Sequence, residues 1–295
     1  MDRLSGEDLV PSRKPGAIAT IGEETVRVDD AGNVLERKPI VVRYFTEQIG
    51  AVSLDMVAIP GGKFLGGSPK SEEGRWDWVE SYELQVSVSE FWMGRYAVTQ
   101  AQWQAVAQLP PVKCTLDFDP SRFKGERHPV EQVSWDEAKE FCARLSRLTG
   151  NMYRLPSDVE WEYACRAGTT TPFACGGTLT TAIANYNGTH TYAKGSVGEF
   201  RQGTIEVGSF PPNAWGLYDV HGNVFEWCED PWQHRNSTRR VKRGGAWLSS
   251  PKYCRSAYRF CETRKARNSH LGVRVACSAS DVLRPANESY TKPGK

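Results

Sequence analysis

Three helix starts stand in the first 170 residues, and no long helix reads clearly after them. Thr99-Gln-Ala-Gln102, Ser134-Trp-Asp-Glu137 and Ser157-Asp-Val-Glu160 each place a hydroxyl three residues ahead of a Glu or Gln. In such a capping box the hydroxyl accepts the third amide of the helix, while the longer side chain returns to the cap's own amide. Behind Ser134, residues Ala138, Phe141, Cys142, Leu145 and Leu148 share one face and Gly150 ends the helix; Gly168 ends the third. After residue 170 come short apolar runs, glycines and aromatics. The chain is therefore read as an α+β domain with helices early and irregular β structure late. Its 27 Gly and 17 Pro supply turns, and 10 Trp, 11 Tyr and 11 Phe supply much of the packing, which argues against a helical bundle.

Of 295 residues, 39% are hydrophobic, enough for a core, and 24% are charged. The 37 basic and 35 acidic side chains leave a net charge of +2, far from that of a general nucleic-acid binder. No apolar run has the length of a membrane span, and the opening MDRLSGEDLVPSRKPG has no apolar h-region, so the expected location is cytoplasmic. Eight cysteines (114, 142, 165, 175, 228, 254, 261, 277) form no CxxC pair, which points to buried reduced thiols. HxxxH, HExxH, GxSxG and GxxxxGK[ST] patterns are absent. Residues 1–50 read as an N-terminal segment, with a β-hairpin over 23–38 around Asp29-Asp-Ala-Gly-Asn33. The domain is expected over 51–279, with a flexible tail over 280–295.

The order of motifs within that domain is specific. IPGGKFLGGSP is followed by FWMGRYAVTQAQW (91–103), HPVEQVSWDEAKEFCARLS (128–146), YRLPSDVEWEYACRAG (153–168), GLYDVHGNVFEWCED (216–230), KRGGAW (242–247) and LGVRVAC (271–277). This series, spanning about 54–279, resembles the formylglycine-generating enzyme (sulfatase-modifying factor) family. The resemblance implies a C-type lectin fold with little regular secondary structure. Enzymes of that family oxidise a substrate cysteine using two cysteines that hold copper; Cu(I) favours such soft ligands. Counted from Gly245, the two family positions are Ser249 and Cys254, and Cys261 lies off the spacing. With one thiol missing, no catalytic residue and no copper are expected; in an oxidase the residue at stake would be Cys254.

Residues 243–277, RGGAWLSSPKYCRSAYRFCETRKARNSHLGVRVAC, resemble something further: the variable region of bacterial diversity-generating retroelement proteins. There, adenines of Asn codons are replaced at random. The resemblance places Leu248, Ser249, Ser250, Tyr253, Tyr258, Phe260, Cys261, Asn268, Ser269 and His270 in variable slots. It places Trp247, Pro251, Cys254, Arg255, Ser256, Arg259, Arg267, Gly272 and Arg274 in the framework. Replacing only the adenines of AAY cannot yield Lys, Glu, Gln, Met or Trp, and none of these fills a variable slot; Lys252, Glu262 and Lys265 fall outside them. Tyr and Phe offer contact area at small entropic cost and Ser adapts its hydrogen bonds, as in antibody paratopes. The expected function is non-catalytic binding of a variant-specific protein or peptide, with no nucleic acid, through the variable positions and Trp247. A copper-dependent oxidase and an accessory module of a signalling system are the alternatives.

The resemblance also implies structural calcium. Asp219 and Glu226 would give carboxylates and Gly222 and Val224 carbonyls, the oxygen donors this hard ion takes. A second site would use Asn185 and the Tyr186 carbonyl with residues near 198–200. His221, in the same Gly-Asn turn, reads as structural. The basic run Arg239-Arg240-Val-Lys242-Arg243 reads as a solvated face, or as a bias toward acidic partners.

Overall fold

A computed structural model describes residues 17–80, 83–233 and 237–282. A six-stranded sheet organises the molecule. Strands β1 (Ala19–Val28) and β2 (Val34–Ile49) form the hairpin, turned where Asp29 Oδ1 accepts the amides of Ala31 and Asn33. Strand β2 continues into β3 (Val52–Ile59) through Gly50, whose φ of 62° suits glycine. Residue 50, read as the end of a separate segment, is thus the turn between two strands of one sheet. The short ribbon β4 (Gly62–Gly66) and β5 (Leu84–Val88) projects beyond β3, and β6 (Phe91–Gly94) returns to pair with it.

The helices start at the capping boxes. Thr99, Ser134 and Ser157 cap α1 (Gln100–Ala107), α2 (Trp135–Thr149) and α3 (Asp158–Arg166), each with both reciprocal hydrogen bonds. Helix α2 stops at Gly150, with φ of 81°. Between α2 and α3, β7 (Tyr153–Arg154) forms one edge of the large sheet, whose order is β1-β2-β3-β6-β12-β7.

The C-terminal third builds a second sheet, β10-β9-β8-β11, from β8 (Phe225–Pro231), β9 (Arg239–Arg243), β10 (Arg259–Thr263) and β11 (Leu271–Gly272). Strand β12 (Ala276–Ser278) then enters the first sheet between β6 and β7. Trp103 and Phe141 stack at 5.3 Å in one core, with Phe45, Trp92 and Trp227 around them. Trp161, Phe91, Met93 and Val241 fill a second core. None of the eight cysteines forms a disulfide; Cys114 is exposed and Cys175 half-buried. Residues 1–16 and 283–295, read as tails, lie outside the described residues.

Buried arginines replace regular hydrogen bonding where the chain is irregular. Arg243 Nη1 donates to the carbonyls of Ser256, Ala257 and Tyr258, while its other nitrogens bond Asp158 (2.6 Å) and Glu162 (3.0 Å). Arg274 joins the carbonyls of Gly94, Arg95 and Tyr218 to Glu226. A guanidinium carries five donors in a fixed fork, so one side chain serves several carbonyls and a carboxylate together.

Candidate ligand-binding surface

The segment expected to bind begins where β9 ends in Gly244 and Gly245, at φ of 98° and 75°. A Cβ at Gly245 would collide with Cys254, and one at Gly244 would stand 3.0 Å from the Trp161 ring. Ser249 Oγ accepts the Ala246 amide at 3.0 Å and closes the next turn. Residues Pro251–Cys254 form a single 3-10 turn, and Arg255 then fixes the chain before β10.

Most of the expected contact positions reach the surface. Leu248 is 40% exposed, and Trp247, Ser250, Tyr253, Phe260, Ser269 and His270 are half-exposed. Three positions read as contacts are buried instead. Ser249 is spent on its turn. Cys261 lies against Val241 on the inner side of the β9–β10 ribbon. Tyr258, only 5% exposed, is covered by Tyr253, at 5.1 Å between ring centroids, and by Trp76.

Trp76 was missed in the sequence, although it gathers the surface. Its ring meets Tyr253, Tyr258 and Phe260 edge-on, at 6.0, 6.1 and 6.0 Å. Trp232 also packs on Phe260, at 6.1 Å. Beside Trp76, Trp78 is 88% exposed. Trp76 sits on the β4–β5 connection, nearly 180 residues from its partners, so no spacing could have linked them; the Trp-Asp-Trp run was the one available signal. Trp247 has its own partners, Phe123 edge-on at 5.3 Å and Phe200 stacked at 6.1 Å, and its Nε1 donates to the Ser269 carbonyl.

Arg255, with no exposed surface, ties the two segments together. It pairs with Glu72 and with both oxygens of Glu80 (2.6 and 2.9 Å) and donates to the carbonyls of Gly74 and Lys252. Glu80 also accepts from Ser68 Oγ and the Trp76 amide. The guanidinium keeps the Glu80 carboxyl below its ordinary range against the effect of burial. The aromatic surface therefore rests on backbone held by buried ion pairs.

The residues present do not fit copper. Ser249 stands where a second thiol would, and burial pushes the Cys254 thiol far up, keeping it protonated. His221 accepts the Ala174 amide at Nε2 and therefore carries its proton at Nδ1, donated to the Cys254 carbonyl at 2.8 Å. Burial lowers its pKa to about 4, so it is a neutral tie. The first calcium set fits poorly too. Glu226, expected as a calcium ligand, has both oxygens on Arg274, with Oε2 also accepting Trp161 Nε1 at 2.6 Å. Asp219 is half-buried and accepts the Gly208 amide, and desolvation raises its pKa to about 6; the Gly222 carbonyl accepts the Val224 amide. Among the described residues no three His, Cys, Asp or Glu converge as a metal cluster. The second set keeps one strong point. Asn185 Nδ2 is satisfied by Gly203 and Asn223, but its buried Oδ1 has no hydrogen-bond partner, an acceptor that fits a cation; the nearby acid Glu199 pairs with Arg201 instead.

The fold has counterparts among known proteins. The model of the sulfatase-modifying factor enzyme 1-like domain family matches residues 46–279. The formylglycine-generating enzyme of Mus musculus is 34% identical over 290 residues, covering 89% of this chain and 73% of that protein. Among solved structures, PvdO from Pseudomonas aeruginosa superposes with a TM-score of 0.68 at 30% identity, over 79% of this chain and 97% of that one. Treponema denticola variable protein 1 superposes with a TM-score of 0.66 at 26% identity, over 79% and 98%.

Proposed function

The chain belongs to the sulfatase-modifying factor enzyme 1-like domain family, and from that footing we propose that it is a non-catalytic member that binds a protein or peptide through a surface diversified in residues 248–270. The observation that carries this reading is the convergence of Tyr253, Tyr258 and Phe260 on Trp76, above backbone held by Arg255 and Arg243. Half-exposed aromatics on a rigid base present area without the entropy cost of ordering a loop. Side chains can then be exchanged while buried guanidinium bonds hold the main chain.

Two experiments test it. Sequencing the DNA around the gene should find a near-copy of codons 243–277, with adenines at the variable positions, beside a reverse-transcriptase gene. Its absence would remove the diversification reading. Titration with Cu(I) should show no tight, thiol-dependent site. Tight binding abolished in Cys254→Ser would overturn the non-catalytic reading in favour of an oxidase. Calcium belongs, in this reading, to the Asn185 acceptor and the Tyr186 carbonyl. Millimolar calcium should raise Tm in the wild type but not in Asn185→Ala, since a ligand of the folded state alone stabilises it.

A further inference from the structure

A buried carboxyl stands two contacts away from Trp247. Glu131 has no exposed surface, and among the described residues its Oε2 has no hydrogen-bond partner. Its Oε1 accepts the Phe123 amide at 2.8 Å, and its own amide donates to Ser121 Oγ at 3.1 Å. Residues 121–125 are thus wrapped on one side chain. Gln100 closes the other side of the wrap, donating to the Phe123 carbonyl (2.6 Å) and accepting the Gly125 amide (3.1 Å). The Phe123 ring then meets Trp247 edge-on at 5.3 Å, and a Cβ at Gly203 would stand 2.9 Å from that ring. One residue on, Gln132 holds a φ of 60° and donates its amide to the Asn268 carbonyl at 3.1 Å. Few residues other than glycine adopt that conformation, so its contacts keep it there.

The charged groups that act on Glu131 are two. Arg122 has its guanidinium over the Phe123 ring at 5.3 Å, and Lys124 pairs with Asp119 at 2.8 Å. Burial outweighs both and lifts the Glu131 pKa to about 7. The elements that flank it meet Val130 through uncharged groups, the Val98 carbonyl and Gly272 of β11. Arg267, beside Asn268, is spent on Glu137 at 2.8 Å. Protonated, Glu131 is a neutral group in a dry setting. Ionised, it is an anion with one bare oxygen, and lifting residues 121–125 lets water reach that oxygen.

We propose that Glu131 is a proton-operated latch on the binding surface: protonated, it holds residues 121–125 closed with Phe123 against Trp247, and on ionising it releases them. The latch rests on the ligand-binding reading for its purpose but not for its mechanics. Glu131, Phe123 and Trp247 all lie outside residues 248–270, so no exchange within that stretch removes the latch. Two histidines share these elements and titrate elsewhere. His128, with Nδ1 on Thr204 Oγ1 at 3.0 Å, has its pKa lowered by burial, and that of His270 falls to about 4. Both become charged in acid, whereas the latch opens in alkali.

Hydrogen exchange of the full chain tests this without a ligand. Between about pH 6 and pH 8, corrected for the intrinsic rate, protection of amides 121–125 should fall about tenfold, the ratio of ionised to protonated carboxyl about one pH unit above the midpoint. In Glu131→Gln, which cannot ionise, protection should stay constant. Fluorine NMR of the chain labelled with fluorotryptophan gives a second readout, its Trp247 resonance identified by loss in Trp247→Phe. That resonance should shift with a midpoint near pH 7 in the wild type, and should keep its acid position in Glu131→Gln. Protection that does not change with pH would overturn the latch, as would an equal fall in Glu131→Gln. A Trp247 shift centred in the acid range in both proteins would belong to His128 and overturn it too. The binding reading is tested apart, by the gene-neighbourhood and copper experiments above, so the two fail separately.

Discussion

Tyr253, Tyr258 and Phe260 look alike in the sequence, and their burial separates them. Tyr258 lies beneath the other two, so Tyr258→Ala opens a cavity and should cost about 3 kcal/mol, while Tyr253→Ala and Phe260→Ala should each cost about 1 kcal/mol. Urea denaturation of the three variants checks the ranking; equal losses would put all three in the core. Glu131 offers a prediction in pH. Fully buried, with Oε1 on the Phe123 amide and Oε2 unpaired, it has its pKa raised by burial to about 7. The unfolded chain ionises this acid near its ordinary value, so its contribution to stability falls as pH rises from about 4.5 to 7 and stays low above. Glu131→Gln should therefore be more stable than the wild type at pH 8, by about 2 kcal/mol, and the gain should vanish below pH 4.5. Tm measured against pH for both proteins decides it; a gain that persists in acid would mean that packing, not ionisation, is responsible.

The elements legible in the sequence are those whose determinants are local. Each capping box lies within four residues, and all three begin a helix. The hairpin over 23–38 was legible for the same reason, since its turn and both strands adjoin. The β4–β5 connection was not legible, because its conformation is imposed by Arg255, some 180 residues on. Within residues 248–270, the resemblance to a variable region assigned slots but could not give burial. Ser249, Tyr258 and Cys261 are hidden by a turn, by Trp76 and by the ribbon's inner face, none of which spacing reveals. The tie through Arg255 can be tested at this scale. Arg255→Met leaves Glu72 and Glu80 buried without their cation and should cost about 3–5 kcal/mol. Limited proteolysis should then cut first between residues 69 and 80; an unchanged digestion pattern would show that the loop stands without Arg255.

Across the molecule, the first sheet draws on both ends of the described chain, with β1–β2 on one flank and β12 near the other. Removing residues 1–45 would take away β1 and most of β2, leaving β3 paired on that side only over its first half, and delete the buried Phe45 and Val42, although the family's match begins only at residue 46. That truncation should lose the cooperative thermal transition seen in the full chain, as calorimetry would show; retention of it would make the hairpin an accessory. The place of β12 has a different consequence. Its strand completes the sheet between β6 and β7, yet in the chain it follows residues 248–270, the stretch proposed above to be diversified. The large sheet therefore closes only when the stretch ahead of β12 folds so as to let that strand reach both β6 and β7. Variants whose exchanged side chains spoil that stretch would fail at closure and pass to degradation. In a chain diversified as proposed, assembly itself would act as the first selection, ahead of any encounter with a ligand.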